Sequence, residues 1–174
     1  MRNTIKHNPN RIKIKMHFFG LLAVLGLITC VAVSTEEVTD FKMCRKTKCT
    51  ISNLNIDPCP QALEGKACEI PVGSNATIFF NYITQFSSMA PKTKICAVMG
   101  LVDMAYPGMD PDACLYMQQC PLKKSVEGFY YYSIFSDDDS YPKDSYTLKV
   151  KIWNGDKRAS SRDECCFTFK ANLV

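Results

Sequence analysis

Between Tyr146 and Trp153 the chain alternates without a break. "YTLKVKIW" places Tyr146, Leu148, Val150 and Ile152 on one side, and Lys149 and Lys151 on the other. A period of two is the mark of a strand with one buried face. "CCFTFKANLV" at the C-terminus repeats the pattern, with Phe167, Phe169, Ala171 and Leu173 inward. Successive residues on a strand point opposite ways. Cys165 therefore shares the face of Phe167 and Phe169, whereas Cys166 shares that of Thr168 and Lys170. Cys166 is the better candidate for a peripheral disulfide, and Cys165 for a buried thiol or an inward bond.

Other segments follow the same period less strictly. "CTISNLNI" (Cys49 to Ile56) alternates imperfectly, and "ATIFFNYI" (Ala76 to Ile83) is rich in strand formers. "KICAVMGLV" (Lys94 to Val102) is apolar throughout and predicts a strand buried on both faces or running through the core. "GFYYYSIF" (Gly128 to Phe135) is an aromatic strand, and "NGDK" after Trp153 is a turn. Pro and Gly punctuate short segments, and no stretch of ten or more residues carries the helical period. The expected class is all-β: one sandwich of two antiparallel sheets.

The N-terminus breaks from this pattern. Residues 1–15 carry Arg2, Lys6, Arg11, Lys13 and Lys15 and no acid; "MHFFGLLAVLGLITCVAVS" follows and ends on small residues. A basic start, an apolar run too short to span a bilayer and an Ala-x-Ser exit predict a secretory signal at 1–34, with the mature domain at 35–174. Met16 is an alternative start. Net charge changes with this division. The whole chain has 21 bases and 17 acids. Losing five bases and no acid leaves 16 against 17, or −1. The basicity belongs to the leader, and nucleic-acid binding loses its electrostatic support.

Both histidines, His7 and His17, lie in the leader. The mature chain thus has no Ser-His-Asp or Cys-His pair and no histidine metal ligand. It also lacks a Gly-rich phosphate loop and a nucleophile elbow. No enzyme, cofactor or metal is expected. Cys30 leaves with the leader, so nine of the ten cysteines remain. None is spaced C-x-x-C, and an oxidising compartment favours disulfides that close local loops, with at least one cysteine left unpaired or bonded to another chain.

"FKMC", "PCP" and the next cysteine, "YPGMDPDACLYMQQCPLKK", "SYPKDSYTLKVKIWNGD" and a cysteine on the final strand follow in that order. This order resembles the ML (MD-2-related lipid-recognition) domain over about Phe41 to Val174, and looks closest to the Niemann-Pick type C2 proteins and the dust-mite group two allergens. The resemblance implies an immunoglobulin-like β-sandwich whose sheets enclose an apolar cavity, and a function in carrying lipid. It implies the disulfides Cys59–Cys68, Cys114–Cys120 and Cys44 to the last strand, where Cys166 fits better than Cys165. Cys49, Cys96 and Cys165 fall outside that pattern. It places Tyr106 with Pro107, and Tyr141 with Pro142, at the cavity mouth. The wall is then expected from Ile78 or Phe79, with Val98, Tyr131, Leu148, Val150, Ile152 and Phe167. The loop closed by Cys114 and Cys120 would hold the segment from Tyr106 in place.

Asp137, Asp138 and Asp139 replace the apolar residues usual in that family before "YP". They predict a solvated loop, and they disfavour an anionic lipid A ligand unless Lys123, Lys124 and Lys143 lie closer to the mouth. "NAT" at Asn75 is the only glycosylation sequon in the chain. The expected function is a secreted, monomeric carrier of a sterol, fatty acid or other lipid, extracellular or in the endosome/lysosome lumen, handing ligand to a membrane or a lipid receptor. The alternative is innate-immune recognition of microbial lipids such as lipopolysaccharide.

Overall fold

The alternating segments become the walls of a two-layer sandwich. The computed structural model describes residues 36–136, 141–156 and 163–174. The predicted leader, with Cys30, both histidines and the boundary at Ser34, lies outside the described residues, as does the Asp137–Asp139 loop. The strands are β1 Phe41–Met43, β2 Cys49–Asp57, β3 Cys68–Ile70, β4 Asn75–Thr84, β5 Pro91–Met99, β6 Val102–Ala105, β7 Glu127–Phe135, β8 Ser145–Asn154 and β9 Glu164–Leu173. They form a six-stranded sheet, ordered β1-β9-β8-β5-β6 with β3 also on β9, and a three-stranded sheet ordered β2-β4-β7. Every pairing is antiparallel except β3 with β9. Two short 3-10 turns, Pro60–Glu64 and Ala113–Leu115, complete the regular structure among the described residues. Among the described residues no helix is long and apolar enough to cross a membrane.

The core forms where the two inner faces meet. Ile78, Phe80 and Tyr82 of β4 and Tyr130 of β7 face Val150 and Ile152 of β8 and Phe167 and Phe169 of β9, all buried. Phe80 joins the layers: its ring stacks on Tyr130 at 4.8 Å and meets Phe167 of the other sheet edge-on at 4.9 Å. Such aromatic pairs add about 0.5–1.5 kcal/mol each to the burial of their area.

Two segments depart from the expected strands for local reasons. β2 alternates imperfectly because a bulge shifts its register between Ser52 and Asn55, so that Leu54, Asn55 and Ile56 are all buried. The apolar run Lys94 to Val102 is not one buried strand. Gly100, at φ 62°, turns the chain between β5 and β6. The run becomes a hairpin whose tip carries Met99, Leu101 and Val102 at 51, 105 and 65% exposure.

Four disulfides staple the sandwich: Cys44–Cys166, Cys49–Cys165, Cys59–Cys68 and Cys114–Cys120. The three expected pairs are among them. The fourth realises the inward bond of Cys165: it runs from β9 to β2, between the two sheets. Cys96 is left as a buried free thiol. It lies on β5 between β6 and β8, opposite Ala105 and Lys149. Burial pushes its pKa up, Asp103 adds to that, and Lys94, Lys149 and Lys151 oppose it. A neutral buried thiol of this kind is a poor nucleophile.

Candidate functional site

At one end of the sandwich the inner faces part. The gap lies between the end of β7 and the β5-β8-β9 face, and is lined by Ile95, Leu148, Ala171 and Leu173, by Ile134 of β7 and Ile70 of β3, and by Tyr106, Tyr141 and Tyr146. The cavity they enclose is about 50 Å³, a narrow cleft that opens into solvent.

Three tyrosines line this space, yet its exposed surface is apolar. The reason is where the hydroxyls point. Tyr146 donates to the Pro142 carbonyl at 2.7 Å, and Tyr141 to the Ala105 carbonyl at 3.4 Å. The Ser136 hydroxyl is 2.7 Å from the Pro71 carbonyl. Each polar atom is satisfied by backbone, and the rings are what the cavity sees. Burial raises the pKa of Tyr141, with Tyr106 adding to it, and burial with Asp144 raises that of Tyr146. Both phenols therefore stay neutral at physiological pH.

Tyr106 is placed differently. It follows β6, and its N–H donates to the Ile95 carbonyl at 2.8 Å, which fixes it to the large sheet. Its hydroxyl reaches the small sheet. There it donates to the Phe135 carbonyl and accepts from the Phe135 N–H, both at 3.0 Å. One side chain thus takes both hydrogen-bonding groups at the end of an edge strand, as a neighbouring strand would. It ties the two layers together across the opening.

The rings continue away from the mouth in both directions. Tyr106 stacks on Tyr141 at 6.3 Å, and Tyr141 meets Tyr146 at 6.0 Å. On the other side Tyr106 meets Tyr132 at 5.9 Å, and Tyr132 meets Tyr116 at 4.9 Å. Burial, then Tyr106 and Tyr116, push the Tyr132 pKa up to about 12. Tyr116 sits inside the loop closed by Cys114–Cys120, and this segment also pairs with β7: the Tyr131 N–H donates to the Tyr116 carbonyl at 2.9 Å. The expected link between that loop and Tyr106 has a concrete route, through Tyr116 and Tyr132.

The expected site residues separate into three groups. Tyr106, Tyr141 and Leu148 line the opening. Val150, Ile152 and Phe167 share the inward face of the large sheet but lie in the closed core, each at most 1% exposed. Pro107 and Pro142 are exposed beside their tyrosines rather than on the lining, with Pro142 serving through its carbonyl. Phe79, Tyr131 and Val98 point the wrong way for a wall. In β4, Ile78 and Phe80 take the inside, which turns Phe79 out against Phe129 at 6.2 Å. The β4–β7 register sets Tyr130 opposite Phe80 and Tyr131 opposite Phe79, so Tyr131 is half exposed on the outer face. In β5, Thr93, Ile95 and Ala97 are buried in alternation, which puts Val98 on the other face.

Alternation had put Tyr146, Ala171 and Leu173 inward without marking them as lining. Ile70, Ile134, Tyr116 and Tyr132 carried no signal beyond being apolar or aromatic. Lys123 and Lys124 are far from the opening. They are tied to the opposite end of β4 by the Ser125 N–H to the Thr84 carbonyl and the Lys124 N–H to the Ser87 hydroxyl. Lys143 lies two residues past Tyr141 and is exposed. Lys149 is held by both carboxylate oxygens of Asp103, at 2.6 and 2.8 Å.

A family model described as the ML domain matches residues 38–173. The NPC intracellular cholesterol transporter 2 of Sus scrofa is 23% identical over 155 residues, covering 89% of this chain and 95% of that protein. Its Mus musculus counterpart is 22% identical over 132 residues, covering 76% and 85%. Among solved structures, a Niemann-Pick type C2 protein from Japanese carpenter ant superposes with a TM-score of 0.64 at 21% identity, covering 77% of this chain and 98% of that one.

Proposed function

A chain matched over residues 38–173 belongs to the ML-domain family, and from that premise we propose that it is a lipid-binding protein, not an enzyme, which carries a largely apolar, neutral ligand of the sterol type between its sheets. The observation that carries this reading is the lining. The space is apolar because its tyrosine hydroxyls are bonded to backbone. An apolar body gains about 25 cal/mol for each Å² it removes from water there, and a single hydroxyl can stay in water at the mouth, beside the Tyr106 tie. A fatty acid would have to leave its carboxylate in solvent at the mouth, since among the described residues no cation lines the space. Its relatives' name, cholesterol transporter, agrees with this choice.

Lipopolysaccharide recognition is the weaker reading. It needs a cluster of cations at the mouth for phosphates; Lys123 and Lys124 are at the other end of the sandwich, which leaves Lys143, exposed two residues past Tyr141, as the one of the three near the opening. The predicted leader supports secretion, which would put the protein outside the cell or in the endosome/lysosome lumen. Handing ligand to a membrane is supported by the β5–β6 hairpin. It continues from Ala97 and Tyr106 at the opening to a tip where Met99, Leu101, Val102 and Met104 are exposed.

The test is competitive loading. Delipidated protein is equilibrated with equal amounts of a fluorescent sterol, a fatty acid and lipid A, and the bound lipid is identified by mass spectrometry after solvent extraction. Sterol in near-stoichiometric amount is the expected result. Retention of lipid A in preference to sterol would overturn the proposal, as would failure to retain any of the three.

A further inference from the structure

The outer face of the three-stranded sheet is aromatic where a solvated sheet face is ordinarily polar. Phe79, Phe129, Tyr131 and Phe135 stand there on neighbouring strands; Tyr131 is 50% and Phe135 48% exposed, and Phe135, at the end of β7, also borders the opening. The side chains of β4 that share this face include Asn75, the acceptor of the only sequon in the chain. The β4–β7 register sets Asn75 directly opposite Phe135, the last pair of the ladder. Side chains opposite one another on one face have Cβ atoms about 4.5–5.5 Å apart. A sugar on Asn75 therefore emerges beside the Phe135 ring. Tyr131 lies four residues further along the same face, about 13 Å away at 3.3 Å per residue.

We propose that Asn75 carries an N-linked glycan whose first sugars lie on Phe135 and run toward Tyr131, so that the aromatic outer face is the bed of the protein's own carbohydrate. The proposal rests on the secretory reading above, because only a chain entering the secretory route meets the glycosylating enzyme. A pyranose suits such a bed: its C–H face packs on an aromatic ring while its hydroxyls and N-acetyl group stay in water. The polar groups between the rings are already paired with each other. Thr77 and Ser133 hydroxyls are 2.8 Å apart, and Asn81 donates to Glu127 at 2.9 Å. That leaves the rings as the part of this face a ligand can use. The covered face is also what keeps an exposed aromatic patch on an edge-stranded sheet from pairing with another copy.

The experiment compares full-length protein, Asn75→Gln, Phe135→Ser and the double variant, all expressed in glycosylating cells. Occupancy is read by mass spectrometry, melting temperature by calorimetry, and oligomeric state by light scattering. Occupied Asn75 is expected, with Asn75→Gln lowering the melting temperature by about 3 °C, the order one good contact gives a domain of this size. In the Phe135→Ser background the same change is expected to cost under about 1 °C. The N-acetyl methyl of the Asn75 sugar, trimmed to one residue, is expected to show an upfield ring-current shift that Phe135→Ser abolishes; this reads the contact even where a variant is poorly stable. An occupied Asn75 whose sugar has free-sugar shifts and equal cost in both backgrounds overturns the glycan bed. Secreted protein with bare Asn75 overturns it as well, and a monomer-dimer equilibrium unaffected by Asn75→Gln reassigns the face to self-association. Protein found in the cytosol, rather than in the medium or the endosome/lysosome lumen, overturns it together with the secretory reading, and that outcome is distinct from the others.

Discussion

Replacing Tyr106 by Phe removes one hydroxyl and leaves the ring that lines the opening. The hydroxyl makes two hydrogen bonds to the backbone of Phe135, each 3.0 Å, and these span from the large sheet to the end of the small one. A net hydrogen bond contributes about 0.5–1.5 kcal/mol. Both bonds lie at the surface, where water can replace them, so the lower part of that range applies and the pair contributes about 1–2 kcal/mol. If a bulky ligand passes only when this tie opens, the open population rises by about 5- to 30-fold in Tyr106→Phe, at 1.4 kcal/mol for each factor of ten. Entry and exit should quicken by the same factor, because the tie is broken equally for both. The dissociation constant should therefore move much less than either rate. The assay loads protein with a fluorescent sterol, mixes it with excess acceptor vesicles, and follows loss of protein-to-sterol energy transfer. Tyr141→Phe is the control. Its hydroxyl bond, to Ala105 at 3.4 Å, stays on the β6 side and does not cross the opening. An exit rate within twofold of the unaltered protein, together with the expected loss of stability, would refute the tie as a barrier. Equal acceleration by Tyr141→Phe would assign the effect to general loosening of the ring cluster.

The hairpin tip gives a complementary expectation: Leu101→Asp places a charge on a side chain that touches little and is fully exposed. Transfer to vesicles should slow by about tenfold while sterol affinity and melting temperature stay unchanged; transfer that is unaffected would exclude the tip from membrane contact. Cys44–Cys166 and Cys49–Cys165 close nearly the same loop, with separations of 122 and 116 residues. Loop entropy then makes either single removal cost about 2–3 kcal/mol and the double removal about 7, more than the sum, in denaturant titrations of Ser variants; strict additivity would contradict this. Gly128 faces Tyr82, and a Cβ there would lie 2.3 Å from the ring; Gly128→Ala should cost about 1–3 kcal/mol of stability in urea unfolding, and a neutral change would show that the ring shifts freely. Burial pushes Tyr82 up to about 12, as burial with its tyrosine neighbours does Tyr132. Their unfolded value is about 10, so the stability they contribute is fully present below pH ~10 and lost as pH rises toward ~12. Denaturant midpoints should fall across that window in step with phenolate absorbance, and a flat midpoint would contradict the burial of these rings.

What the sequence shows of this molecule depends on whether the two faces of a strand differ chemically. In β8 and β9, lysine or threonine alternates with apolar residues, and every inward assignment there agrees with the structure. In "IFF" and "YYY" both faces are equally apolar, so alternation has no phase to read. Phe79 and Tyr131 were assigned to the wall, and only the pairing of β4 with β7, a long-range fact, turns them outward. The same holds for the apolar run at Gly100, where backbone geometry at one residue decides between a buried strand and an exposed hairpin. Strand phase oriented Cys165 correctly but could not name Cys49, because that bond depends on how the two sheets face each other. The site follows the same logic one level higher. The tyrosines were visible as residues, but a tyrosine lining is polar or apolar according to where its hydroxyls go. Here they go to the carbonyls of Ala105, Phe135 and Pro142. Tyr106 reaches 29 residues along the chain to do so, and Tyr146 only four. Tyr146 could have been suspected from its neighbourhood. Tyr106 as a tie between layers could not, since its partner is backbone, which every residue carries, and its role exists only once β6 and β7 have been brought to the same opening.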